Sequence, residues 1–150
     1  MRTFSSPAGY QIQVPADWQG AAPSAQNSNL ELSSADDRQT LFVESFGALA
    51  PGKTALDTCN VVNTLLGRLF TDGRSSPAQS TNVTGADSAA SCAFDAAAGL
   101  LGPTHIQHLI AVRGRQQYHV GLWMTPAFFA ANRGLVDQIL ASFQLTTPTP

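Results

Sequence analysis

The sequence predicts an α+β fold, in which helices flank an antiparallel sheet. Three observations predict it. The chain up to Phe46 alternates apolar and polar residues between short turn signals. Thr104 to Met124 reads as a long two-stranded hairpin, and segments starting near Thr54 and Asn132 carry apolar residues at helical spacing.

Taken in order, Phe4 to Ser6 and Tyr10 to Val14 form a small hairpin about Pro7-Ala8-Gly9, and Pro15, Asp17 and Trp18 close it. Gly20 to Asn29 is polar and reads as a loop. Leu30 to Ser33 and Thr40 to Phe46 are two further strands joined by a turn at Asp36-Asp37. Thr54 opens the first helix, with Asp57 three residues on in a capping-box pattern and Asp72-Gly73 as the stop. Leu56, Cys59, Val62, Leu66 and Leu69 share one side of that helix and should lie on a sheet. Arg74 to Gln79 is a polar loop, and Ala90, Cys92, Phe94 and Ala96 alternate as a strand of small residues. The long hairpin turns at Gly114-Arg115, where a leading glycine suits a type II′ turn. Thr125-Pro126 is a cap followed by proline at the first helical position; Asn132 then recaps a helix with Leu135, Val136, Ile139, Leu140 and Phe143 as its apolar stripe. Residues 1–145 are read as one domain and the TTPTP tail, 146–150, as disordered chain.

Composition excludes several partners. Charged residues are only 12% of the chain, the formal net charge is −2, and the single lysine, Lys53, and seven scattered arginines form no basic stripe, so nucleic acid is not expected. No apolar run approaches the roughly 18 residues that span a bilayer, so a soluble domain is expected. A chain rich in Ser, Thr, Gln and Asn, with little lysine and an even cysteine count, suggests an extracytoplasmic protein of the periplasm or cell envelope whose leader lies outside this sequence. The alternative is a cytoplasmic protein.

The most specific motif is Gly47, four residues, then Gly52, Lys53 and Thr54, which matches the phosphate-loop pattern between a strand and a helix. Against it, Pro51 has no N–H to aim at a phosphate, and the preceding strands are hairpin strands where the motif needs a parallel sheet. The expected reading is an ordinary strand-to-helix connection; a small nucleotide-binding protein is the alternative. Of the histidines, alternation separates His105 from His108, and His119 falls opposite Ile110 and diagonal to His108, so at most two share a side and no metal or cofactor is expected. Trp18, Tyr118 and Trp123 are candidate partner-binding residues if exposed and core residues if not. Asn82 to Thr84 is an acceptor for N-linked glycans only in a suitable secretory pathway. Cys59 sits on the apolar side of the first helix and Cys92 beside Phe94 on a strand, which predicts a disulfide between helix and sheet. No G-x-S-x-G, H-E-x-x-H or C-x-x-C motif occurs, so no catalytic residues are assigned.

GYQIQVPADW near the start, RGRQQYHVGLWMT at the end of the hairpin and the closing LVDQILASFQL, in this order, resemble the PsbP-like superfamily. That superfamily includes the photosystem II extrinsic subunit, the nuclear Ran-binding import factor, bacterial DcrB-like proteins and mycobacterial LpqN-type lipoproteins. The resemblance spans nearly the whole chain and implies an α/β/α sandwich and a non-catalytic module that binds or assembles another protein. It also leaves open a cytoplasmic DcrB-like secretion chaperone.

Overall fold

The computed structural model describes residues 1–97 and 102–150. Strands β1 (Arg2–Ser6) and β2 (Tyr10–Val14) pair antiparallel, as the alternation predicts, and join the two-residue β11 (Gln144–Leu145) in a small sheet ordered β1-β2-β11. The main sheet contains β3 (Gln19–Ala21), β4 (Leu30–Ser33), β5 (Thr40–Ala48), β6 (Gly73–Ser75), β7 (Gln79–Thr81), β8 (Ser88–Ala96), β9 (Thr104–Arg113) and β10 (Gln116–Met124). Its order is β3-β4-β5-β10-β9-β8-β6, with β7 also on β8, and every pairing is antiparallel. The short strands β3, β6 and β7 lie in segments expected to be loops. Apart from half-buried Gly73 these residues are exposed and show no apolar alternation to read, and the strands are held by pairing with longer neighbours.

The long hairpin folds as predicted, with Arg113 opposite Gln116 across Gly114-Arg115. Gly114 has φ +61, whereas Arg115 is not among the residues of positive φ; this excludes type I′ and leaves the type II′ turn. The polar β4–β5 turn is held by Asp36, whose carboxylate accepts from the Ser34 hydroxyl and the Arg38 N–H. Those bonds hold its pKa below the usual carboxylate value.

Among the described residues there are three helices: α1 (Ala55–Leu69), α2 (Pro126–Ala131) and α3 (Arg133–Ala141). α1 starts where expected, since Thr54 is extended and its N–H donates to Asp57 Oδ2 at 2.8 Å. It stops at Phe70, whose half-buried ring wedges between Phe94 and Trp123 at centroid distances of 5.9 and 6.3 Å and pulls the backbone out of the helix. The side that α1 buries is rotated from the expected one. Ala55, Thr58, Cys59, Asn63 and Leu66 are buried, while Leu69 is 74% exposed. Two polar residues take inner positions because the sheet offers them partners: Thr58 donates to Gln117 Oε1 at 2.7 Å and Asn63 Nδ2 to Ser76 O at 3.1 Å.

The main sheet is a middle layer. On one side, Ala55 and Cys59 of α1 pack on Ala90, Cys92, Ile110 and Val112, and Leu66 packs on Phe94 and Ile106. On the other, Leu41, Val43, Leu109, Tyr118, Val120 and Leu122 meet Tyr10, Ile12 and Val14 of the small sheet and Val136 and Ile139 of α3. α2 is capped by Thr125, whose hydroxyl accepts from Phe128 N–H at 3.1 Å, with Pro126 at its first position. Asn132 does not cap α3 through its side chain; it donates instead to Phe128 O and ties the two helices together. The tail expected to be disordered is anchored. Thr146 N–H donates to Gly9 O, Thr149 N–H to Pro7 O, and Arg113 Nη1 to Thr146 O at 2.6 Å.

Candidate functional site

The predicted site residues divide between the core and the α1 side of the main sheet. Trp18 and Tyr118, candidate partner-binding residues if exposed, are 3% and 2% exposed, which leaves them the core reading. Trp18 packs on Phe128, and the Tyr118 hydroxyl donates to Ala8 O at 2.7 Å, which places its polar end inside the contact between the two sheets. Trp123 is half-buried on the α1 side, and its Nε1 is buried without a hydrogen-bond partner.

The connection from Gly47 to Thr54 lacks the geometry that the phosphate-loop alternative needs. β5 pairs antiparallel with both its neighbours, where the motif requires a parallel strand. Four N–H groups of this connection are engaged elsewhere: Leu49 N–H donates to Arg115 O, Lys53 N–H to Ala50 O, Thr54 N–H to Asp57 and Ala55 N–H to Ser88 Oγ. Pro51 has none to offer. Gly47 lies in β5, its carbonyl accepting from Gln117 Nε2, and Gly52 turns the connection at φ +77.

Cys59 and Cys92 form the predicted disulfide, with Cα atoms 6.0 Å apart. It joins the inner side of α1 to the middle of β8, opposite His108 in the β8–β9 register.

His119 does lie opposite Ile110 and diagonal to His108, and the diagonal is short: His119 Nε2 is 2.6 Å from His108 Nδ1. One proton is shared across that contact, so one ring donates and the other accepts. Burial pushes the pKa of His108 down to about 3, helped by the charge His119 would carry, and burial pushes His119 down to about 4. Both rings are therefore neutral at pH 7. His108 Nε2 is buried without a partner. His105, on the other side of the sheet, is stacked on Phe129 with its Nδ1 2.6 Å from Asp95 Oδ1 and its Nε2 3.2 Å from Gln107 Oε1. Both its nitrogens are engaged, so neither is presented to a substrate. Among the described residues, no three His, Cys, Asp or Glu side chains converge as a metal site.

What remains open on the α1 side is the half of the sheet that α1 does not cover. β5 has nine residues, but β4 pairs only with Thr40 to Val43, so from Glu44 to Ala48 no described strand lies along the outer edge of β5. Half-exposed Phe46 lies on this stretch and half-exposed Phe42 just before it, opposite Glu31 of β4; both pack against His119, tilted at 6.0 Å and edge-on at 5.3 Å, with exposed Glu44 between them. Gly121 makes the ledge possible. It lies opposite Phe42, and a Cβ there would strike the Phe42 ring. A Gly121→Ala substitution is expected to lift Phe42 and cost about 1–3 kcal/mol in a urea titration; an unchanged midpoint would show that the ring moves freely. The ledge was missed in the sequence because Phe42 and Phe46 read only as apolar strand positions, and the signal lay in the unequal lengths of β4 and β5.

No protein-family profile matches the sequence, and no curated protein is detectably similar to it. Solved structures are similar. The solution structure of cyanobacterial PsbP from Synechocystis matches with a TM-score of 0.69 at 13% identity, covering 96% of this chain and 91% of that one. The chain has the PsbP-like fold. LpqN, involved in cell envelope biogenesis of Mycobacterium tuberculosis, matches with a TM-score of 0.63 at 11% identity over 92% of this chain and 83% of LpqN. The Saccharomyces cerevisiae Ran-binding protein Mog1p matches with a TM-score of 0.62 at 10% identity over 91% of this chain and 90% of Mog1p.

Proposed function

We propose that this PsbP-like domain is a non-catalytic accessory module of the cell envelope that docks an extended segment of another protein along the open edge of β5. The observation that carries the reading is the stretch from Glu44 to Ala48, a strand edge beside an aromatic ledge. Backbone N–H and C=O groups along such an edge select an extended partner, because only a strand satisfies them in sequence. Phe46 would take an apolar side chain of that partner and Glu44 a basic one two positions along, while Phe42, whose outer edge is filled by Glu31 of β4, closes the end of the ledge. The Cys59–Cys92 disulfide favours an oxidising compartment, and so weighs against the cytoplasmic chaperone. The partner-binding role of Mog1p and the envelope role of LpqN agree with this reading by likeness of fold alone.

Photo-crosslinking tests it. A benzophenone side chain at Phe46 or Ala48 is expected to capture one protein in intact cells, and the same probe at exposed Gln13 of the small sheet is expected to capture none. Equal labelling from all three positions, or none from β5, would overturn the docking site. Saturable calorimetric binding of MgATP or MgGTP that Lys53→Ala abolishes would instead restore the nucleotide-binding alternative.

A further inference from the structure

We propose that α1 is a self-association surface on which a second copy of this chain docks its own α1, antiparallel, about a two-fold axis at the level of Asn63. This surface is separate from the β5 edge. Among the described residues, the exposed large hydrophobic side chains are Met1 and three from α1: Val61 at 57%, Leu65 at 50% and Leu69 at 74%. Since α1 already buries Ala55, Cys59 and Leu66 on the sheet, its outward side would be polar if it faced only water. Instead Val61, Leu65 and Leu69 follow one another at spacings of four, an apolar row along the outward side. Val61, Thr64, Leu65 and Arg68 line a shallow depression of about 280 Å³ on the outer side of this layer.

Charge decides the occupant. α1 carries an acid in its first turn, Asp57, and a base in its last, Arg68. In an antiparallel pair centred on Asn63, Val61 meets Leu65 of the second copy, and Arg68 comes within one residue's rise, about 1.5 Å, of the level of the other Asp57. Symmetry makes each contact twice. A parallel pair would set Asp57 against Asp57 and Arg68 against Arg68, and would align the two helix dipoles unfavourably. Asp57 can serve both cap and partner, because its bonds from the Thr54 N–H and hydroxyl both go to Oδ2. A lone helix pair buries less than a standard interface, so the dimer is expected to be weak, dissociating at tens of micromolar.

Sedimentation velocity across that range, at low salt, tests the proposal on the intact chain. The average mass is expected to rise with concentration from one chain toward two. Leu65→Glu and Arg68→Glu are each expected to weaken association at least about tenfold, roughly the effect of burying or opposing one charge at an interface. Both positions are exposed, so unchanged circular dichroism and thermal midpoints would show that the fold is intact. Gln13→Glu, on the small sheet, is expected to leave association unchanged. A chain that stays monomeric throughout overturns the proposal. So does a dimer indifferent to Leu65→Glu, which must use another surface, and a dimer indifferent to Arg68→Glu, which cannot be antiparallel in this register.

Discussion

Replacing both bridged cysteines, as Cys59→Ala/Cys92→Ala, is expected to lower the thermal unfolding midpoint by about 7–15 °C. The bridge spans 33 residues of sequence, and restricting the unfolded chain over such a loop stabilises the fold by roughly 3.5–4 kcal/mol on the chain-entropy model. For a chain of this length each kcal/mol moves the midpoint by about 2–4 °C. Alanine is the right probe. Both sulfurs are buried, at 0% and 3% exposure, and serine would add an unpaired hydroxyl to the cost. The loss should fall mainly on the first half of α1, which otherwise meets β8 through the small side chains of Ala55 and Ala90, whereas further along Leu66 still packs on Phe94. Scanning calorimetry reads the shift. A change below about 3 °C would mean that packing alone holds α1 to the sheet and that the bridge contributes little.

The parts of this fold that were legible in the sequence are those where one local rule decides the structure. Alternation placed β1, β2, β4, β5, β9 and β10, and Thr54 with Asp57 placed the start of α1. The cysteine pair was legible because a helix stripe and a strand alternation each fix the side on which a sulfur sits. What escaped depends on partners distant in sequence. Thr58 and Asn63 turn inward because Gln117 and Ser76 O wait there, 59 and 13 residues away, and that rotation carries Leu69 out to solvent. The tail from Thr146 to Pro150 reads as frayed chain, yet Gly9 O and Pro7 O accept its N–H groups. The candidate docking edge was invisible for a related reason. It exists because β4 begins only at Leu30, opposite Val43, while β5 runs on to Ala48, a mismatch between two strands that neither strand's own pattern encodes.

Acidification from pH 7.5 to pH 5 is expected to cost about 3–4 kcal/mol of stability through His108 and His119. In the folded state burial holds their pKa values down to about 3 and about 4, against an ordinary value of 6.5. The unfolded chain therefore binds more protons, and stability rises with pH. The contribution is fully present above pH 6.5 and is lost as pH falls below it, levelling off only near the folded values. At pH 5 each histidine has lost roughly 2 kcal/mol. His119 is the more open of the two and carries the smaller shift, while Glu44, directly opposite it on β5, is exposed and too well solvated to hold an imidazolium in place. Asp36 and Asp57, whose pKa values hydrogen bonds lower from 3.8, add their losses only at more acidic pH, so the window from 6.5 to 5 belongs to the histidine pair. Urea titrations at pH 7.5 and pH 5 measure the loss directly. His108→Gln/His119→Gln is expected to be less stable at pH 7.5, because a buried 2.6 Å contact is replaced, yet nearly flat between the two pH values. If the wild-type chain is equally stable at both, a proton must enter the pair without opening the packing of Phe42 and Phe46 above it, and the two rings would then share the charge across their hydrogen bond.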